Sequence, residues 1–254
     1  MPKKKPKKTE YTKFLKAEKK NIELTKKHYN KEISMYIDCF NLLAQTLYHI
    51  IKESYKQRDI LRRAEVAILI NSTRVLFSIK TYIDLMMKGY YFDAHIIFRS
   101  LYENILLIEC FTRDEKYATK WLNEELKFSK VKKELGLYSN EALTRFYEDL
   151  CGYVHANAPA LTSLIKISKE KDEISIPVLP SFRPEQCPEI DFFPAIGYRV
   201  LLLLLNLFRN VMKPEVTSQI EKALDAWKIE GEVLLRKSEE IDKELKESTK
   251  SSPK

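Results

Sequence analysis

The hydrophobic positions Tyr29, Ile33, Tyr36, Phe40, Leu43, Leu47 and Ile50 advance by alternating steps of four and three. That spacing predicts a long helix over about Lys16 to Lys56 with a heptad seam along one side. An exposed seam of this kind predicts a dimer, and a covered one predicts a monomer. The next apolar set, Val66, Leu69, Ile70, Val75, Leu76, Ile79, Ile83 and Met86, marks the inner surface of a second helix over about Asp59 to Lys88. Gly89 ends it, as glycine commonly does after a helix.

A third helix is expected over about Tyr91 to Phe111, and Thr112 with Glu115 has the spacing of a capping box for a fourth, running to Gly136. Ser139 or Asn140 then caps a shorter helix containing "EALTRFYEDLCGYVHA", with another helical turn expected around Ala158 to Ile167. From Ser168 to Glu189 the prolines Pro177, Pro180, Pro184 and Pro188 preclude a continuous helix, and residues 168–190 read as a long loop. Two more helices follow, about Phe193 to Met212 and Pro214 to Lys246. The pattern therefore predicts an all-α bundle of about seven helices with a long first helix. Residues 16–247 form one domain, between a disordered basic tail at 1–15 and a disordered tail at 248–254.

Composition supports this reading, because 5 glycines and 10 prolines against 31% charged residues disfavour a strand-and-turn architecture. The longest apolar run, Val200 to Phe208, is bracketed by Arg199 and Arg209. A bilayer span needs roughly 20 apolar residues, so this run is expected in the core and no membrane span is expected. Cys39, Cys110, Cys151 and Cys187 lie far apart without metal-ligand spacing and read as reduced thiols. Trp121 and Trp227, on amphipathic helices, read as core anchors. The amino terminus lacks the apolar run of a signal peptide, and a cytoplasmic location is expected. The net charge is +8, but "PKKKPKK" holds five lysines, and removing them leaves only +3. The basic tail is first a solvated segment. Contact with nucleic acid is the second role open to it.

The candidate chemistry lies in "HIIFRSLYENILLIECF". Residues four apart on a helix drift by only about 40°, so His95, Arg99 and Glu103 share one strip, with Tyr102 beside them. The rest of the helix is so apolar that it belongs near the centre of the fold, and a charge buried there must be paired. With the base ahead of the acid, the Arg99/Glu103 order is the weaker one for an exposed helix pair, which argues against simple surface stabilisation. "YEDLCGYVHANAP" supplies His155 near a helix end and Tyr153 two residues before it, and His155 is expected to face Arg99 and Glu103.

The helix bearing R-S-L-Y-E, followed some fifty residues later by "YEDLCGYVHAN", resembles an uncharacterised bacterial family of all-helical domains of unknown function. The likeness covers about Ile60 to Leu207 and implies that Arg99, Glu103 and His155 match the family's signature positions. It implies no activity. A looser likeness connects the chain to HEPN-type helical domains, many of them metal-independent ribonucleases of toxin or phage-defence systems. Their signature places Arg and His on one helix with four to six residues between them. Here Arg145 to His155 leaves nine, and His28, His49 and His95 follow no arginine at that spacing.

Three readings follow. In the first, Arg99, Glu103 and His155 perform acid/base or phosphodiester chemistry in nucleic-acid processing or defence: His155 moves the proton, Arg99 stabilises the developing anion and Glu103 orients them. His95, Tyr102 and Tyr153 support the site. In the second, the same groups are a structural network in a non-enzymatic scaffold or interaction module, with the helical surfaces available for homo-oligomerisation. The third is a metal site drawing on His95, Glu103, Glu109 and His155. It conflicts with the absence of a Glu-x-x-His pair and with the cationic Arg99, so no metal or other cofactor is expected.

Overall fold

The computed structural model describes residues 9–57, 61–139, 141–155, 166–168, 173–175, 179–183, 193–226 and 228. Thr9 starts the first helix, α1 (Glu10–His28), by accepting the Thr12 backbone N–H on its side chain at 3.3 Å. Residues 10–15, assigned by composition to the disordered tail, are therefore helical. At Tyr29 the backbone leaves helical geometry (φ −118°, ψ 39°), and α2 (Asn30–Gln57) begins at the next residue. One straight rod over 16–56 would extend about 60 Å at 1.5 Å per residue, far past its neighbours. On either side of the break α1 and α2 both pack on α3 (Arg63–Lys88), with Asn21 of α1 at its C-terminal end and Tyr36 of α2 at Ile79.

The α2 seam is covered by the bundle. Ile33, Tyr36, Leu43, Leu47 and Ile50 are all buried, and the Tyr36 hydroxyl donates to the Ile79 carbonyl of α3. At the centre, α3 and α4 (Tyr91–Arg113) form an antiparallel pair with the most extensive contact in the fold. By length and composition α3 is the one described helix apolar enough to cross a bilayer, and 56% of its most apolar window is buried in the bundle.

The expected fourth helix is two, α5 (Glu115–Leu122) and α6 (Phe128–Glu134), separated by a turn in which Glu124 adopts φ 61°. The cap of α5 is Asp114, whose side chain accepts from the Lys116 N–H at 2.9 Å, rather than Thr112. Gly136 (φ 69°) ends α6, and a 3-10 turn (Leu137–Ser139) leads to α7 (Glu141–Val154). Ser139 donates its hydroxyl back to the Gly136 carbonyl, and Asn140 lies outside the described residues. The turn expected near Ala158 to Ile167 lies mostly outside them as well. Its end belongs to a strand, Lys166–Ser168, paired antiparallel with Glu173–Ser175.

The apolar run at 200–208 lies in α8 (Phe193–Phe208), where Val200, Leu201, Leu204, Leu205 and Phe208 are buried, and the helix packs on α2 and α4. A last described helix spans 214–226; the expected remainder to Lys246, Trp227 and the tail at 248–254 lie outside the described residues. Nine α-helices thus stand among the described residues, and the all-α class holds, with the hairpin as a minor addition. Trp121 packs on the core beside Phe111, their ring centroids 5.7 Å apart.

The α3–α4 turn is tightly packed. Gly89 has φ 89°, and a Cβ built there would lie 2.6 Å from Asn21 Nδ2 and 3.1 Å from the Ser181 carbonyl. Asn21 reaches across from α1 to donate to the Lys88 carbonyl at 3.0 Å. Gly89→Ala is expected to lower unfolding free energy by about 1–2 kcal/mol, from the left-handed backbone and the displaced Asn21 amide. Urea denaturation checks this. A loss no larger than that of Asn21→Ala would show that the backbone conformation adds nothing.

Candidate functional site

α4 runs through the centre of the bundle, and α7 crosses it with an aromatic face made by Phe146, Tyr147, Leu150 and Tyr153, spaced by one, three and three residues. The two helices are aligned so that Tyr147 meets Arg99 and Glu103, while Tyr153 meets His95. The polar strip therefore divides between two tyrosines.

In the first group, Arg99 Nε donates to Glu103 Oε1 at 3.0 Å, and the Tyr147 hydroxyl donates to the same oxygen at 2.7 Å. Arg99 Nη2 reaches the Tyr147 oxygen at 3.4 Å, and the guanidinium lies 5.6 Å from the centre of the Tyr147 ring. Phe128 stacks on that ring at 5.7 Å, and Lys132 Nζ sits 4.7 Å from its centre. Burial, followed by the bond to Glu103, pushes the Tyr147 hydroxyl well above its ordinary pKa, so it serves as a neutral donor. Burial opposes the Arg99 charge, but Tyr147 and Glu103 outweigh it and its pKa is raised.

In the second group, His95 is buried, its Nδ1 donates to the Tyr91 carbonyl at 2.6 Å, and its ring stacks on Tyr153 with centroids 4.2 Å apart and planes 8° from parallel. Phe92 meets the same tyrosine edge-on at 5.7 Å. Tyr102 faces Phe146 edge-on at 5.5 Å, and its hydroxyl is raised by burial.

His155 is not brought to this cluster. It is exposed in the turn after α7, its backbone N–H bonded to the Cys151 carbonyl. It lies eight residues beyond Tyr147, about 12 Å along the axis of a helix. No described hydrogen bond or ion pair joins it to Arg99 or Glu103. The expectation that His155 faces them is corrected: α7 presents Tyr147 there instead. The signal was present in the three- and four-residue spacing of Phe146, Tyr147, Leu150 and Tyr153, which marks them as the inner face of their helix.

The groups weighed as metal ligands are also dispersed. Glu109 is buried on a separate part of α4, where Arg199 of α8 clamps its carboxylate, Nη2 donating to Oε2 at 2.7 Å with Nε beside Oε1. Among the described residues no group of three or more His, Cys, Asp or Glu side chains is arranged to hold a metal ion. Cys39 and Cys110 are buried, Cys151 is half-buried, and all three are free thiols; burial pushes Cys39 up to about 12 and Cys110 to about 11. His49 accepts the Lys213 backbone N–H at 3.1 Å and so ties the start of the last described helix to α2.

Comparison of the chain with protein-family models, with curated proteins and with solved structures finds no match.

Proposed function

We propose that this protein is a non-enzymatic helical interaction module in which Arg99, Glu103 and Tyr147 fasten α4 to α7. The observation that supports this reading is the closure of the network on itself. Tyr147 and Arg99 both donate to Glu103 Oε1, so the acid and the cation answer each other within the fold. A general acid or base must come within about 2.6–3.2 Å of the proton it moves, beside a group that stabilises the developing charge. The exposed His155 does not share that arrangement with Arg99.

A second reading keeps the strip as a site for nucleic-acid processing or phage defence. It draws on the partial exposure of the Arg99 and Glu103 side chains, 19% and 29%, which leaves a solvent-facing edge for an anionic ligand. The basic tail would then add phosphate contacts.

The two readings separate in one pair of measurements. A double-mutant cycle of Tyr147→Phe and Glu103→Gln, followed by urea unfolding, is expected to give a coupling of about 1–2 kcal/mol. Incubation of mixed-sequence RNA with the wild type, with Arg99→Ala and with His155→Ala is expected to give no difference in cleavage. A coupling near zero together with cleavage that depends on both His155 and Arg99 would replace the structural reading with the enzymatic one.

A further inference from the structure

Although the seam of α2 is spent on the core, the same helix carries a second stripe. Ile37, Asn41, Ala44, Tyr48, Ile51 and Tyr55 again advance by alternating steps of four and three, about 110° around the axis from the buried face at 100° per residue. Ile37, Tyr48, Ile51 and Tyr55 are exposed, Tyr48 by 67% and Tyr55 by 87%. Single exposed apolar residues are ordinary, but a continuous stripe with heptad spacing is the surface of a helix that packs on another helix. Asn41 is its polar member, and one polar residue in such a seam lowers affinity.

We infer that the occupant of this stripe is a second copy of the same chain, with α2 packed antiparallel on α2. Antiparallel pairing aligns residues whose numbers sum to 92, so Ile37 meets Tyr55 of the second copy, Asn41 meets Ile51, and the small Ala44 meets the large Tyr48. Along the solvent side of the stripe run Asp38, Gln45 and Lys52, all exposed and seven residues apart. In this register Asp38 lies beside Lys52 of the second copy, Lys52 beside its Asp38, and the two Gln45 side chains meet near the two-fold axis. The surface is thus complementary to itself in both size and charge. Parallel pairing loses both features. It stacks Tyr48 on Tyr48 and turns Asp38 and Lys52 toward the partner positions equivalent to Ile33 and Leu47, which are buried in the bundle and offer no counter-charge. This inference does not depend on whether the Arg99 network is structural or catalytic.

The test is the mass of the full-length chain by sedimentation equilibrium from about 1 to 100 µM, the range in which a modest helical interface associates. A dimer is expected, and Tyr48→Lys, on an exposed position, is expected to weaken it at least about tenfold. Asp38→Lys and Lys52→Asp each place like charges together and are expected to weaken it about tenfold. An equimolar mixture of the two variants restores opposite charges across the interface and is expected to recover wild-type association, as is the double variant. Circular dichroism melts confirm that each variant is folded. A wild type that stays monomeric to 100 µM overturns the inference. So does a dimer indifferent to Tyr48→Lys, or one in which neither the mixture nor the double variant recovers.

Discussion

Phe98→Ala is expected to lower the unfolding free energy by about 3–5 kcal/mol, the range for removing a buried aromatic ring from a packed core. Phe98 is fully buried on α4, with Tyr82 of α3 at 5.5 Å between ring centroids and Phe146 of α7 at 6.0 Å. The ring therefore joins three helices, and its loss opens a cavity that none of them can close without moving the others. For a domain with a total stability of about 5–15 kcal/mol this is a large fraction. The shift in the urea midpoint at unchanged slope measures it. Phe98→Leu, which keeps most of the volume, is expected to lose much less. A loss below about 1 kcal/mol for the alanine variant would show that α7 is not packed on α4 through this ring.

The second large effect depends on pH. Burial raises the Glu109 carboxyl above the ordinary glutamate range, and Arg199 draws it back without cancelling the shift. A carboxyl whose folded pKa lies above its unfolded one stabilises the fold most when protonated. Its contribution is complete below the unfolded pKa and falls as pH rises through the folded one. Arg199→Ala removes the opposing cation and moves the folded pKa further up, which widens the window in which ionised Glu109 destabilises the protein. Breaking a buried pair costs about 3–5 kcal/mol. Because the Arg199 side chain is 59% exposed, solvent screening reduces the expected loss to about 2 kcal/mol at neutral pH. At about pH 4, where the carboxyl is protonated, the loss is expected to shrink by at least half. Glu109→Gln in the Arg199→Ala background is expected to abolish the pH dependence. An equal loss at both pH values would mean that Arg199 acts through packing alone.

Both effects involve residues that sequence spacing places with uneven success. Phe98 sits on the apolar side of a helix whose type and course are plain from its pattern. Glu109 was visible as an acid on that helix, but its partner lies 90 residues away on the helix with the strongest apolar run, where Arg199 reads as a flanking charge. The strip of His95, Arg99 and Glu103 was correctly placed on one helix, and the Arg99–Glu103 contact follows directly from four-residue spacing. The residue that joins the Arg99–Glu103 pair was not legible. The histidine three residues past Gly152 draws attention because of its chemistry, whereas the residue that reaches the pair is a tyrosine two turns earlier. Tyr147 was hidden among apolar neighbours because its ring packs in the core and only its hydroxyl enters the polar group.

The heptad spacing of α2 illustrates the same division. Its seam was legible as a packing surface, but the bundle covers that seam and leaves exposed a second stripe of equal regularity. The break at Tyr29 is likewise a tertiary outcome, for nothing in the step of four from Tyr29 to Ile33 marks it; it allows α1 and α2 both to reach α3. By itself the sequence determined helix type, most of the inner face of the long helices, the stop at Gly89 and the contacts between residues one turn apart, although Ile70, assigned to the inner surface of α3, is exposed. These depend on a 3.6-residue period and on local backbone preferences, which are written in neighbouring residues. The tertiary structure alone decided that Tyr147 completes the Arg99–Glu103 pair, that Arg199 clamps Glu109 and that His155 stays outside. Those meetings depend on how whole helices align, and alignment is set by the summed packing of many apolar side chains rather than by the spacing of any few.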